Sequence, residues 1–122
     1  ICRKVIQAKD SIEIWGDGRQ TRSFLYIEEC LEGIARLMAS DFVGPVNIGS
    51  EEMVSINQLA EAVMELAGKN LTIKHIEGPL GVRGRNSDNN LLREKLAWAP
   101  TKTLRQGLAQ TFQWINGQLN NQ

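Results

Sequence analysis

Histidine and cysteine are scarce in this 122-residue chain: one histidine, His75, and two cysteines, Cys2 and Cys30. Two cysteines are too few for a disulfide scaffold. With a single histidine, they also make a zinc site an unfavoured reading. A reducing, cytoplasmic setting fits this usage. Charge of one sign is absent too. Lys+Arg and Asp+Glu both number 14, so the formal net charge is zero. That argues against duplex nucleic acid or an anionic membrane surface as a partner. No apolar run approaches the roughly 18 residues of a membrane span. What remains is ordinary globular composition, 42% hydrophobic and 23% charged, at one domain's length. The first residue is Ile1, and Lys4, Lys9 and Asp10 interrupt any signal-peptide pattern. The reading therefore allows for a missing N-terminal part.

Periodicity orders the chain as α-β-β-α-β-α-β-α-α. Residues 1–8 suit one or two helical turns. Ser11 to Trp15 alternates as a half-buried strand, and Gly16-Asp17-Gly18 closes it in a tight turn. Arg22 to Tyr26 reads as a second strand. Ile27, Leu31, Ile34 and Met38, with Cys30 and Leu37, form one apolar helical stripe over 27–38. Glu28 and Glu29 at its start and Arg36 near its end match the helix dipole. Val46 to Ile48 reads as a short strand. Ser55 stands as an N-cap before the apolar periodicity of 56–67, and Gly68 as its stop. Residues 71–76 alternate as a strand, and 78–86 form a glycine-rich loop. Ser87 or Asp88 caps a short helix to Leu96. Thr103 caps a last helix with Leu104, Leu108, Phe112 and Ile115 on one side, and the polar tail from Asn116 frays. No repeat, low-complexity tract or linker interrupts this order, which is that of an α/β domain, or α+β for the isolated piece.

Few residues carry chemistry on their own. His75 lies in a strand and reads as structural. No Ser/His/Asp order is present, and nothing pairs Asp41, Glu51 or Glu52 for acid–base work. Cys30 reads as a small buried hydrophobe on its stripe; Cys2 stays open as a reactive thiol. Gly78, Gly81 and Gly84 have GxxGxxG spacing after a strand, but the acidic residue that holds a ribose in a dinucleotide fold has no counterpart downstream. The arginines are more informative. Arg83 and Arg85 sit in the glycine-rich loop before a helix, and Arg19 and Arg22 flank Gln20-Thr21. Guanidinium forks near a helix start suit a phosphate or diphosphate. The alternative is that these arginines are solvated surface charges or pair with the glutamates.

Several separated runs, taken in order, resemble a known family. They are Trp15 to Phe24 (WGDGRQTRSF), Glu29 to Gly33, Pro45 to Ser50 (PVNIGS), Gly78 to Asn90, and Trp98-Ala99-Pro100. Together they resemble the C-terminal, substrate-binding part of extended short-chain dehydrogenase/reductases, the NAD-dependent epimerase/dehydratase family. The run Gly81 to Asn90 (GVRGRNSDNN), with the first run, resembles a narrower branch acting on a GDP-mannose-like sugar nucleotide.

The resemblance implies the C-terminal portion of an extended fold with short strands and about five helices, without the N-terminal Rossmann half. Residues 1–122 would then be a single nucleotide-sugar-binding domain. In such an enzyme Lys4, Gln20, Thr21, Arg22 and Arg85 contact the nucleotide sugar, with Arg22 and Arg85 on the diphosphate; Arg83 is not carried over. Family members use tightly held NAD to oxidise a sugar hydroxyl, epimerise beside the ketone and reduce it again. The glycine-rich NAD fingerprint is absent here. So is the Tyr-x-x-x-Lys pair, since Cys30 stands four positions after Tyr26. The family's catalytic cysteine lies upstream of Ile1 and matches neither Cys2 nor Cys30. The resemblance thus implies a chain that holds no NAD and has no catalytic residues of its own. In the family the 46–48 strand joins the Rossmann sheet, so an apolar edge would need cover, from a second copy or a Rossmann-containing partner. The alternative is a non-catalytic interaction or oligomerisation protein, or a truncated relic that has kept the fold.

Overall fold

The computed structural model describes residues 1–79 and 81–120. The order is α1 (Cys2–Gln7), β1 (Ser11–Trp15), β2 (Thr21–Ser23), α2 (Ile27–Met38), β3 (Met53–Ser55), α3 (Ile56–Ala67), β4 (Thr72–Ile76), β5 (Gly84–Arg85), α4 (Asn90–Leu96) and α5 (Leu104–Asn120). This is the mixed α/β architecture expected, with five helices and short strands among the described residues.

The core lies where α1, α3 and α5 pack on the β1–β4 pair. β1 and β4 run parallel, with Ser11 opposite Thr72 and Trp15 opposite Ile76. Alternation turns Ile12 and Ile14 inward. They meet Val5, Ala60, Val63, Leu71 and the buried Cys2, with Leu108, Phe112 and Ile115 of α5 against them. α3 is anchored at both ends. Ser55 and Gln58 form a reciprocal capping box, and Gly68 ends the helix at φ 61°. Thr103 and Gln106 exchange the equivalent pair of bonds at the start of α5, 2.9 and 3.3 Å long.

Four expectations are corrected. Val46–Ile48 carries no strand; nothing among the described residues offers it a ladder, and the strand of that region is Met53–Ser55, antiparallel to β2. β2 ends at Ser23, because Phe24 to Tyr26 have no strand opposite them. Within the 78–86 loop, Gly84–Arg85 forms β5, parallel to β2; Leu80 of that loop lies outside the described residues. α5 runs on to Asn120, so the polar tail from 116 is helical rather than frayed that far, and 121–122 lie outside the described residues. The start of α4 also differs in detail. Asn89 is its N-cap, without a side-chain cap bond, while Asp88 Oδ1 accepts from Asn90 N at 2.9 Å.

α2 is turned inside out relative to its sequence pattern. At 100° per residue, Ile27, Leu31, Ile34 and Met38 fall within about 60° of one another. Yet their exposures are 60, 57, 43 and 82%. The opposite, small and polar face holds the helix to the chain. A Cβ on Gly33 would lie 2.8 Å from Ile48 Cγ2 and 2.9 Å from Trp98 Cζ3. Arg36 stacks over Trp98, and Glu29 Oε1 accepts from Thr101 N and Lys102 N at 2.7 and 2.9 Å. Cys30 is accordingly only half-buried rather than a core residue.

Candidate anion site at the Gly-Asp-Gly turn

β1 runs out into the Gly16-Asp17-Gly18 turn, where both glycines adopt positive φ, 71° and 67°. A Cβ on Gly18 would fall 1.9 Å from Asn57 Oδ1, so only glycine fits there. Asn57, in the first turn of α3, holds the turn by its main chain and its side chain. Its N–H donates to Gly18 O at 3.0 Å and its Nδ2 to Asp17 O at 3.2 Å. His75 Nε2 meets Asn57 Oδ1 at 3.0 Å from β4. The lone histidine therefore buttresses a turn, in keeping with its structural reading. Asp17 Oδ1 accepts from Arg19 N at 2.9 Å and Oδ2 from Arg83 Nη1 at 3.2 Å. The Arg19 amide, then the Arg83 guanidinium, hold the Asp17 carboxyl below its usual range.

From this turn the chain enters β2, whose register sets Thr21 opposite Gly84 and Arg22 opposite Arg85. Thr21 N donates to Arg83 O at 2.9 Å. A Cβ on Gly84 would lie 2.9 Å from Thr21 Oγ1, so the close approach of β5 depends on that glycine. Paired residues of adjacent strands project from the same face, and like charges set so are unfavourable. Arg22 is half-buried, its Nη1 donating to Thr21 O at 2.6 Å, and Arg85 is exposed. Like Arg3 and Arg19, neither meets a carboxylate among the described residues, whereas Arg36, Arg83, Arg93 and Arg105 do. Beside them Gln20 Oε1 is buried with no hydrogen-bond partner among the described residues.

The free edge of β1 carries two of the expected site residues. Thr72 N bonds Asp10 O and Gly16 N bonds Ile76 O, so the even-numbered residues of β1 face β4. The carbonyls of Glu13 and Trp15 then point to the other edge. Lys4 Nζ donates to Glu13 O at 2.8 Å and Gln20 Nε2 to Trp15 O at 3.3 Å. Carbonyls two residues apart on a strand are separated by about 6.6 Å. Lys4 and Gln20 thus line one edge, with Gln20 leading into Thr21 and Arg22. The structure joins Thr21, Arg22 and Arg85 directly through β2 and β5, and links Lys4 to them along that edge.

A second hub had no signal in spacing or charge. Asn89 is buried and, besides its carbonyl accepting from Arg93 N in α4, makes three polar contacts. Its Oδ1 accepts from Ser87 Oγ at 2.8 Å, its Nδ2 donates to Gly49 O at 2.6 Å, and its N–H donates to Glu51 Oε1 at 3.2 Å. Arg93 pairs with the same carboxylate. Arg93 first, then the Asn89 amide, hold the Glu51 carboxyl below its usual range. This hub fixes the stretch after Ile48 to the start of α4.

Other candidates carry less. Cys2 is buried, and burial pushes its thiol up, away from the thiolate a reactive cysteine needs. A cavity of about 610 Å³ lies between the starts of α1, α2 and α5, walled by Phe24, Ile27, Leu59 and Leu108 with Lys102 at its edge. It is apolar and includes none of the arginine-site residues. The glycine-rich loop lacks the strand–turn–helix of a dinucleotide site. Gly84 is committed to pairing with Thr21, and the next helix begins only at Asn90. That loop therefore does not form a dinucleotide-binding turn. No group of three or more His, Cys, Asp or Glu poised for a metal occurs among the described residues. No helix among them is long and apolar enough to cross a membrane.

Residues 1–49 match the model of the family described as NAD dependent epimerase/dehydratase. Over 121 residues, 99% of the chain, the sequence is 57% identical to GDP-mannose 3,5-epimerase of Arabidopsis thaliana. The chain spans about a third, 32%, of that relative's length. Among solved structures it superposes on UDP-glucose 4-epimerase of Thermotoga maritima with a TM-score of 0.87 and 25% identity, covering 97% of this chain and 38% of that one. UDP-glucuronic acid 4-epimerase of Bacillus cereus gives a TM-score of 0.86 and 27% identity over the same shares, 97% and 38%. By sequence along nearly its whole length and by fold, the chain is similar to proteins of the NAD dependent epimerase/dehydratase family.

Proposed function

We propose that this chain is the nucleotide-sugar-binding portion of a sugar-nucleotide epimerase, that its ligand is GDP-mannose or a close analogue, and that it is not catalytically competent alone. The pairing of Arg22 with Arg85 carries the reading. Two cations set on one face without a carboxylate are relieved by a bridging dianion such as a diphosphate. Thr21 and the unpartnered Gln20 oxygen supply neutral hydrogen bonds beside it, and Lys4 lies along the same edge. Identity to a GDP-mannose 3,5-epimerase supports the choice of sugar nucleotide. NAD and the proton-transfer groups belong, on this reading, to residues outside this chain, and the compartment is cytoplasmic.

The outward stripe of α2 favours an interaction role beside binding. Ile27, Leu31, Ile34 and Met38 stand exposed on the face of α2 opposite the one that meets Ile48, and 46–48 pairs with no strand among the described residues. The occupant is a Rossmann-type sheet, whose edge strand would pair with 46–48. Cover by a second copy is the competing outcome, read as a concentration-dependent mass in sedimentation.

Calorimetric titration of GDP-mannose into the folded chain tests the binding reading. Saturable binding is expected, weakened about ten- to hundredfold in Arg85→Ala, the effect of losing a hydrogen bond to a charged group. A folded chain that shows no binding, or a mutant that binds as well as the parent, overturns it.

A further inference from the structure

We propose that Arg83 and Asp17 are a positioning pair that holds the arginine-bearing loop against β2 and so sets where Arg85 stands beside Arg22. The proposal rests on the reading of Arg22 and Arg85 as the anion site.

The two sides of the pair differ in stiffness. The Asp17 side is bolted down: Asn57 holds the carbonyls of both Asp17 and Gly18, and His75 backs Asn57. The Arg83 side is soft. It lies between Gly81, at φ 62°, and Gly84, and is exposed throughout. β5 is only two residues long. Ahead of it, among the described residues, Arg83 ties the loop to the turn region, its carbonyl accepting from Thr21 N and its Nη1 donating to Asp17. One residue therefore sets the register of β5 through its main chain and pins it through its side chain. Arg83 stands at a bend just ahead of β5, two positions before Arg85. Pairing with Asp17 draws Arg83 away from the anion site and neutralises it, leaving Arg22 and Arg85 as the cations presented.

Asp17→Asn separates positioning from through-space charge. The amide keeps an oxygen for Arg19 N but loses the ion pair. Removing a negative charge near an anion site strengthens anion binding if charge alone matters. Positioning predicts the opposite: GDP-mannose binding about two- to fivefold weaker, the range of one exposed ion pair. Arg83→Gln should weaken binding equally, the double variant no further, and Arg83→Lys should largely restore it. The Thr21 amide, which bonds Arg83 O, should exchange with solvent faster in Asp17→Asn. Tighter or unchanged binding in Asp17→Asn, with Thr21 exchange unaltered, overturns the proposal. If the parent chain binds no GDP-mannose, the functional reading fails on its own, and Thr21 exchange alone decides the pair: faster supports it, unchanged refutes it.

Discussion

α2 and α3 are each twelve residues long and amphipathic, and each announces an apolar stripe in its sequence. α3 buries its stripe: Leu59, Ala60 and Val63 lie in the interior, and a capping box and a left-handed Gly68 fix its ends. α2 presents its stripe outward and is held by Gly33, Glu29 and Arg36 on its other face. Burying one such side chain is worth about 1.5–3 kcal/mol, and α2 leaves four of them between 43 and 82% exposed. Periodicity states that a helix has an apolar face; it does not state which body covers that face.

The sharpest way to break this contrast is a matched pair of truncations. Leu59→Ala should cost about 2–5 kcal/mol of stability in urea titrations, as a cavity in a packed interior does. Leu31→Ala should stay within about 0.5 kcal/mol, as surface changes do. Equal costs would mean that α2 is packed in solution. The caps give a smaller contrast. Ser55→Ala should cost about 1 kcal/mol by removing the side-chain acceptor of α3, whereas α2 begins at Tyr26 with no such bond to lose.

The smallest effect is pH-dependent and concerns the Glu51 hub that ties the end of the 46–50 stretch to α4. The folded value of Glu51 lies below its ordinary 4.5. Its contribution is therefore fully present above that ordinary value and is lost as pH falls through the folded value. The difference in melting temperature between the parent and Glu51→Gln should be present at neutral pH and shrink as pH drops below about 4.5. A difference that grows on acidification would contradict the assignment.

Local chemistry made much of this legible in the sequence. Ser55 and Thr103 were readable as caps, Gly16 and Gly18 as a turn, and α2, α3 and β1 by period. The arginines were readable as anion ligands or surface charges, but spacing did not show which of them meet. Only the two-residue β5 sets Arg85 against Arg22 and leaves Arg83 to Asp17. Ladders and hubs depend on distant residues: 46–48 has strand composition but no strand beside it, and Asn89 becomes a hub only because Gly49 and Glu51 arrive from 40 and 38 residues away.

Residue-resolved amide exchange on the chain, at a concentration where sedimentation reports a monomer, tests the contrast between the two helices most directly. The account predicts that amides around Val63 exchange only by global unfolding, while those around Ile34 exchange faster by about tenfold or more through local opening of α2. Equal protection of the two helices in the monomer would contradict the claim that α2 awaits a covering layer.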